Sequence, residues 1–273
     1  MPRDINPGHA VLPRSKIRNP WNDGDQMLCR FCDEDKELIE AHIIPRCLLQ
    51  PLNSPSGPMV LVGKGSYPKR LPMGQYDNKI LCADCDNKYA SWEDHTADLL
   101  VKADAYDRFQ QARPGENFYT IQDYDYANLK LCLLSILWKM SISDHDAFRE
   151  VRLGPFEATI RRMLLDKNPG RADEFPMAIC RLVGELDSST LRPTRPIKDN
   201  GVNAYELGLP GYVAFIKVDK RPTPQPIGCL TLAPANPLVI RVARSPLTLD
   251  KISKLILGPR ERPPSARRGY AGG

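Results

Sequence analysis

The N-terminal residues contain no apolar run. Met1-Pro2-Arg3-Asp4-Ile5-Asn6-Pro7-Gly8 has none of the hydrophobic segment that a secretory leader requires. No later stretch is long and apolar enough to span a bilayer, which takes about twenty residues. The best candidate, 129–142, is too short and is interrupted by Lys130 and Lys139. These absences predict a soluble, cytoplasmic chain with no membrane partner. There is no internal repeat, which sets aside repeat architectures. Gly63-Lys64-Gly65-Ser66 lacks the spacing of a P-loop. Charge of one sign is only in small excess. The 38 Lys and Arg against 33 Asp and Glu leave a net charge of +5, which permits nucleic-acid binding without arguing for it.

What is present is a globular composition. The chain has 273 residues, 42% hydrophobic and 26% charged, enough for one large domain or two modest ones. Residues 1–20 are rich in Pro, Arg and Asn and read as a flexible basic arm. The β-branched segment before Pro45 reads as a short strand. Residues 51–76 read as a Pro- and Gly-rich insertion carrying Lys64, Lys69 and Arg70. These three are candidates to lie along a phosphate backbone. Residues 86–109 read as a helix with Tyr89, Trp92, Thr96, Leu99 and Leu100 facing a core. A break at 115–118 suggests a boundary between a unit at 21–112 and another at 118–258. The second unit should hold an apolar helix at 126–141 and another opened by Gly154-Pro155. Strands are expected at 177–183, 211–218, 228–232 and 238–243, and a closing helix at 249–257. Residues 259–273 carry Arg260, Arg262, Arg267 and Arg268 among Pro, Ser and Gly, and read as a disordered basic tail.

Eight cysteines are present. In a reducing compartment, paired Cys-x-x-Cys motifs read as metal ligation rather than disulfides. Cys29 and Cys32 form one pair, and Cys82 and Cys85 the other, about fifty residues on. Four thiolates from two tight turns suit a structural Zn²⁺. Neither pair sits in the βαβ context of a thioredoxin-like redox site. Cys47, Cys132, Cys180 and Cys229 lie in apolar surroundings and read as small buried hydrophobes. Trp92 and Trp138 read as core.

The residues between and after the pairs carry more. Cys29-Arg30-Phe31-Cys32, Ala41-His42-Ile43-Ile44-Pro45-Arg46 and Leu81-Cys82-Ala83-Asp84-Cys85-Asp86 together resemble the HNH endonuclease superfamily. They are most similar to a poorly characterised bacterial HNH-like group. The segment Leu134-Ser135-Ile136-Leu137-Trp138-Lys139 also looks like a feature of that group. The resemblance covers roughly 27–100. It implies an α+β protein, with an N-terminal zinc-bound ββα-metal (treble-clef) domain followed by a C-terminal α+β domain. It implies metal-dependent hydrolysis of DNA phosphodiesters, in phage defence or mobile-element biology. In that chemistry an imidazole takes a proton from the attacking water, and Mg²⁺ or Mn²⁺ neutralises the phosphoryl oxygens. His42 is the candidate base and Asp86 the candidate ligand of the catalytic ion. Asp77 or Asn78 corresponds to the middle Asn that orients the loop, and strand register decides between them.

One position departs from the pattern. Ala41 stands where many HNH enzymes place a metal-binding Asp, so Asp86 needs another acidic partner. Glu40 has the wrong strand parity. Glu93, two helical turns on, and His95 are the remaining candidates. The alternative reading is an inactive treble-clef zinc module that binds nucleic acid or a protein. The second region carries no catalytic motif, and could sense a ligand, bind a partner or dimerise.

Overall fold

The computed structural model of the chain describes residues 28–50, 60–61, 69–70, 74–102, 118–183, 191, 193–199, 201–224 and 227–243. The expected arm at 1–20, Lys64, the helix at 249–257 and the tail at 259–273 lie outside the described residues.

The chain enters as a tight turn at 29–33. The Asp33 amide donates to the Cys29 carbonyl at 2.9 Å, and Asp33 adopts φ 59°, which a short polar residue tolerates. Strand β1 (Ala41–His42) follows, and Pro45 precedes the one-turn helix α1 (Arg46–Leu49). Strands β2 (Val60–Leu61) and β3 (Lys69–Arg70) pair with each other inside the insertion. Strand β4 (Tyr76–Asp77) returns antiparallel to β1, with Ala41 opposite Asp77 and His42 opposite Tyr76. A short helix α2 (Ala83–Asp86), a 3-10 turn (Asn87–Tyr89) and helix α3 (Ala90–Leu100) complete this part. All five residues expected to face the core, Tyr89, Trp92, Thr96, Leu99 and Leu100, are buried.

After β5 (Phe118–Ile121) comes helix α4 (Tyr126–Ile142), capped by the Asp125 side chain, which accepts from the Asn128 amide at 2.9 Å. Every residue from 129 to 140 is buried, as an all-round apolar helix requires. Its two lysines are buried too, and each must find partners. Lys130 Nζ donates to the carbonyls of Arg171 and Glu174 at 2.7 and 2.6 Å, and to Tyr126 Oη at 3.0 Å. Gly154, at φ 53°, and Pro155 then start helix α5 (Glu157–Leu165) through a 3-10 turn.

The remaining strands are β6 (Met177–Leu182), β7 (Arg195–Asp199), β8 (Val202–Leu209), β9 (Tyr212–Lys217) and β10 (Leu238–Ala243). With β5 they form a six-stranded mixed sheet in the order β5-β10-β6-β9-β8-β7. Only β6 and β10 run parallel. The architecture is α+β, with a four-cysteine cluster near the N-terminus. Both faces of β9 are buried. Tyr212, Ala214, Ile216 and Val218 join the main core, while Val213 and Phe215 join a second cluster with Ala178 and Cys180.

Two expectations need correction. Residues 228–232 do not form a strand but follow Pro224 into a 3-10 turn, Ile227–Leu230. Thr231 Oγ1 donates to the Gly228 carbonyl at 2.9 Å and closes that turn. Cys229 is exposed and Cys47 only half-buried, so of the four remaining cysteines Cys132 and Cys180 alone are buried.

The main hydrophobic cluster is continuous from Cys29 to Val242. Trp138 of α4 is fully buried and meets Phe31 of the first turn edge-on, with centroids 5.5 Å apart. Phe31 in turn meets Tyr89 at 5.4 Å. Trp138→Ala should therefore destabilise the chain by about 3–5 kcal/mol. Urea unfolding followed by both near- and far-ultraviolet circular dichroism should show one shared transition moved to lower urea. Two separate transitions, with only the later one moved, would contradict a common core.

Candidate metal centre

The four-cysteine cluster is assembled by backbone pairing. The Arg30 amide donates to the Ile80 carbonyl and the Ile39 amide to the Leu81 carbonyl, each at 2.9 Å. Leu38 forms a bridge with Cys82. These contacts clamp the first turn against the start of α2. As a result the Sγ atoms of Cys29, Cys32, Cys82 and Cys85 all lie within 4.8 Å of one another. A tetrahedron with metal–sulfur bonds of about 2.3 Å has sulfur–sulfur edges of about 3.8 Å. The donor set and spacing therefore suit one ion such as zinc.

Amide donors face the cluster. The Cys82 N–H points at Cys29 Sγ at 3.4 Å. Burial alone would raise the Cys29 thiol, but the amides of Cys32, Cys82 and Phe31 bring it down to about 7. Burial raises the Cys85 thiol, and its neighbouring sulfurs add to that. Crowded thiolates repel one another, and a bound cation removes that repulsion.

Beside the cluster the chain gathers a second group of polar residues. His42 is half-buried on β1, and its backbone carbonyl accepts from Lys139 Nζ of α4 at 2.8 Å. The same ammonium pairs with Glu93 Oε1 of α3 at 3.4 Å and lies 5.2 Å from the centre of the Tyr89 ring. Lys139 is 1% exposed. Burial pushes the Glu93 carboxyl above the usual carboxylate range. The Asp86 and Asp94 charges add to the push, and Lys139 opposes it. Asp86 is half-buried at the end of α2. The Tyr89 hydroxyl is buried with no hydrogen-bond partner among the described residues. Burial raises it well above the usual phenol range, and the charges of Cys85 and Asp86 add to this.

The other expected site residues divide. Asp77 is buried. Its Oδ1 accepts from the Lys79 amide at 2.9 Å, and its Oδ2 accepts from Ser143 Oγ at 2.6 Å. Asn78 and Glu40 are exposed. His95 Nε2 accepts from the Asp125 amide at 3.1 Å, so its role is at the start of α4. Lys69 and Arg70 lie on β3. Sequence reasoning missed Lys139 and the orphaned Tyr89 hydroxyl. The signal for the first was a lysine inside an apolar helix, which has to find a partner. Among the described residues, only the four cysteines bring three or more potential metal ligands together.

No protein-family model, curated protein or solved structure matches the chain.

Cys85→Ser replaces a soft donor by a hard, weakly acidic hydroxyl. The variant should keep well under one metal ion per chain after dialysis against a chelator that the unaltered protein withstands. Elemental analysis of both proteins checks this, and full retention by the variant would contradict a four-thiolate site.

Proposed function

We propose that the chain is a metal-dependent HNH-type endonuclease that hydrolyses phosphodiester bonds in DNA, with structural zinc on Cys29, Cys32, Cys82 and Cys85. The order of a cysteine turn, an antiparallel strand pair and a helix carrying the second cysteine pair supports a ββα-metal, treble-clef reading of 21–112. The observation that carries the proposal is Lys139. It joins the His42 backbone to Glu93, and the Glu93 carboxyl feels the charge of Asp86. Lys139 thus ties the strand that carries His42 to the Glu93 carboxylate of α3.

In this reading His42 takes the proton from the attacking water. Lys139 pins its backbone, so the imidazole has a defined starting position. Gly74, at φ 86°, passes close by. A Cβ there would fall 3.9 Å from His42 Cδ2 and 2.5 Å from Leu49 Cδ1, so the turn beside the base needs glycine. The register favours Asp77 over Asn78 as the residue that orders the loop, since Asp77 holds the Lys79 amide. Asp86, with Glu93 in the place that Ala41 leaves empty of ligand atoms, would hold Mg²⁺ or Mn²⁺. Such ions bind through one or two carboxylates plus substrate phosphate. When bound, the ion neutralises charge on the phosphoryl oxygens. Lys64, Lys69 and Arg70 would contact the DNA backbone without reading sequence. Phage defence or mobile-element biology and a cytoplasmic setting belong to the same proposal, as does a partner or second copy bound through 118–258.

One observation favours a non-catalytic module that binds nucleic acid or protein. Ala41 has no ligand atom, and Asp86 and Glu93 gather no third potential ligand among the described residues. Plasmid nicking with Mg²⁺ or Mn²⁺ separates the two readings. The nuclease reading expects metal-dependent nicking that falls at least about 100-fold in His42→Ala and is slowed in Lys139→Met, with zinc retained in both. Equal rates in all three proteins would place the activity elsewhere. DNA binding without nicking in the unaltered protein would favour the module.

A further inference from the structure

A cleft of about 440 Å³ lies far along the chain from the cysteine cluster, between the residues that open α5 and strands β7 and β8. Its volume is in the lower part of the range of small-molecule sites. Two cations stand on its rim, Arg152 and Lys198, both exposed. Neither makes an ion pair among the described residues, and no Asp or Glu lines the cleft. Phe156, Ile197 and the ring of Pro196 supply apolar wall. Asn203 adds an exposed carboxamide.

The rim is held in place from below. Tyr205 Oη donates to the Arg152 carbonyl at 2.6 Å and accepts from the Arg152 amide at 3.0 Å. Both backbone groups of Arg152 are thereby fixed to β8. Lys198 is fixed across the cleft because β7 pairs with β8 throughout, with Lys198 opposite Asn203. Two cations lining one concavity without an acidic neighbour make it attractive to an anion. Arginine and lysine both suit phosphate, and the apolar walls suit a flat ring.

We propose that this cleft binds a small phosphate-bearing ligand with one flat ring system, of nucleoside monophosphate size. Phosphate oxygens meet Arg152 and Lys198, the ring lies against Phe156 and Ile197, and Asn203 hydrogen-bonds a polar edge. This inference is independent of the nuclease reading and concerns different residues.

Calorimetric titration of the full chain with AMP and GMP tests it, with adenosine and inorganic phosphate as controls at fixed salt. At least one monophosphate should bind saturably at one site per chain. Adenosine and phosphate alone should each bind at least about tenfold more weakly. Arg152→Ala and Lys198→Ala should each weaken binding by about tenfold or more, the loss expected for a charge-assisted contact. Both side chains are exposed, so the variants should keep the thermal midpoint of the unaltered protein. Three results would each overturn the proposal: no saturable binding of either monophosphate, adenosine binding as tightly as AMP, or both variants binding like the unaltered chain.

Discussion

Four sulfur atoms, drawn from two places about fifty residues apart, meet in one cluster in the N-terminal half. Clipping so long a loop shut gains more, in chain entropy, than clipping a short one. Among the described residues, the regular structure nearby is short. β1 and β4 are two residues each, and α1 and α2 four each. Elements this short do not stand alone. Around the thiols they acquire a shared frame: Leu38 bridges Cys82, Ala41 faces Asp77, and Asp77 holds both the Lys79 amide and Ser143. A metal ion bound there would supply folding free energy directly.

The second structural idea is the use of charge inside an apolar helix. Helix α4 carries two buried lysines, and burying an ammonium costs several kcal/mol unless it is well partnered. Lys130 ties the helix to the carbonyls of Arg171 and Glu174, and Lys139 ties it to His42 and Glu93. Arg161 of α5 adds a third tie. Its Nη2 donates to the Phe31 carbonyl and to Asp33 Oδ2, each at 2.6 Å. The cysteine turn is thus held from outside by the helices that follow it. Any reactivity at His42 depends on residues about one hundred positions away.

The four thiols, the buried faces of α3 and α4, and β6, β9 and β10 were legible in the sequence. Cysteine spacing is discrete, and long apolar periodicities are hard to mistake. Three strands of the six-stranded sheet were not legible. β7 contains Pro196 and Lys198, β8 contains Asn203, Glu206 and Gly208, and β5 is four residues long. Glu206 of β8 is buried in the sheet and pairs with Arg195 of the partner strand at 2.8 Å. That partnership is a tertiary fact and leaves no local trace. The same reason hid the role of Lys139. The sequence shows an interruption in an apolar run, but only packing reveals which groups the ammonium meets. The register that sets Asp77 opposite Ala41 is likewise fixed by pairing, and one residue of slippage would reverse it.

If the four thiols bind one metal ion and that ion organises the tertiary structure around it, cobalt added to the reduced, metal-stripped chain should give the visible absorption of a tetrahedral tetrathiolate complex, saturating at one cobalt per chain. The near-ultraviolet dichroism of the buried Trp138 and Tyr89 should return in step with it. A tertiary signal complete before any metal is added, or cobalt bound without thiolate absorption, would contradict this account.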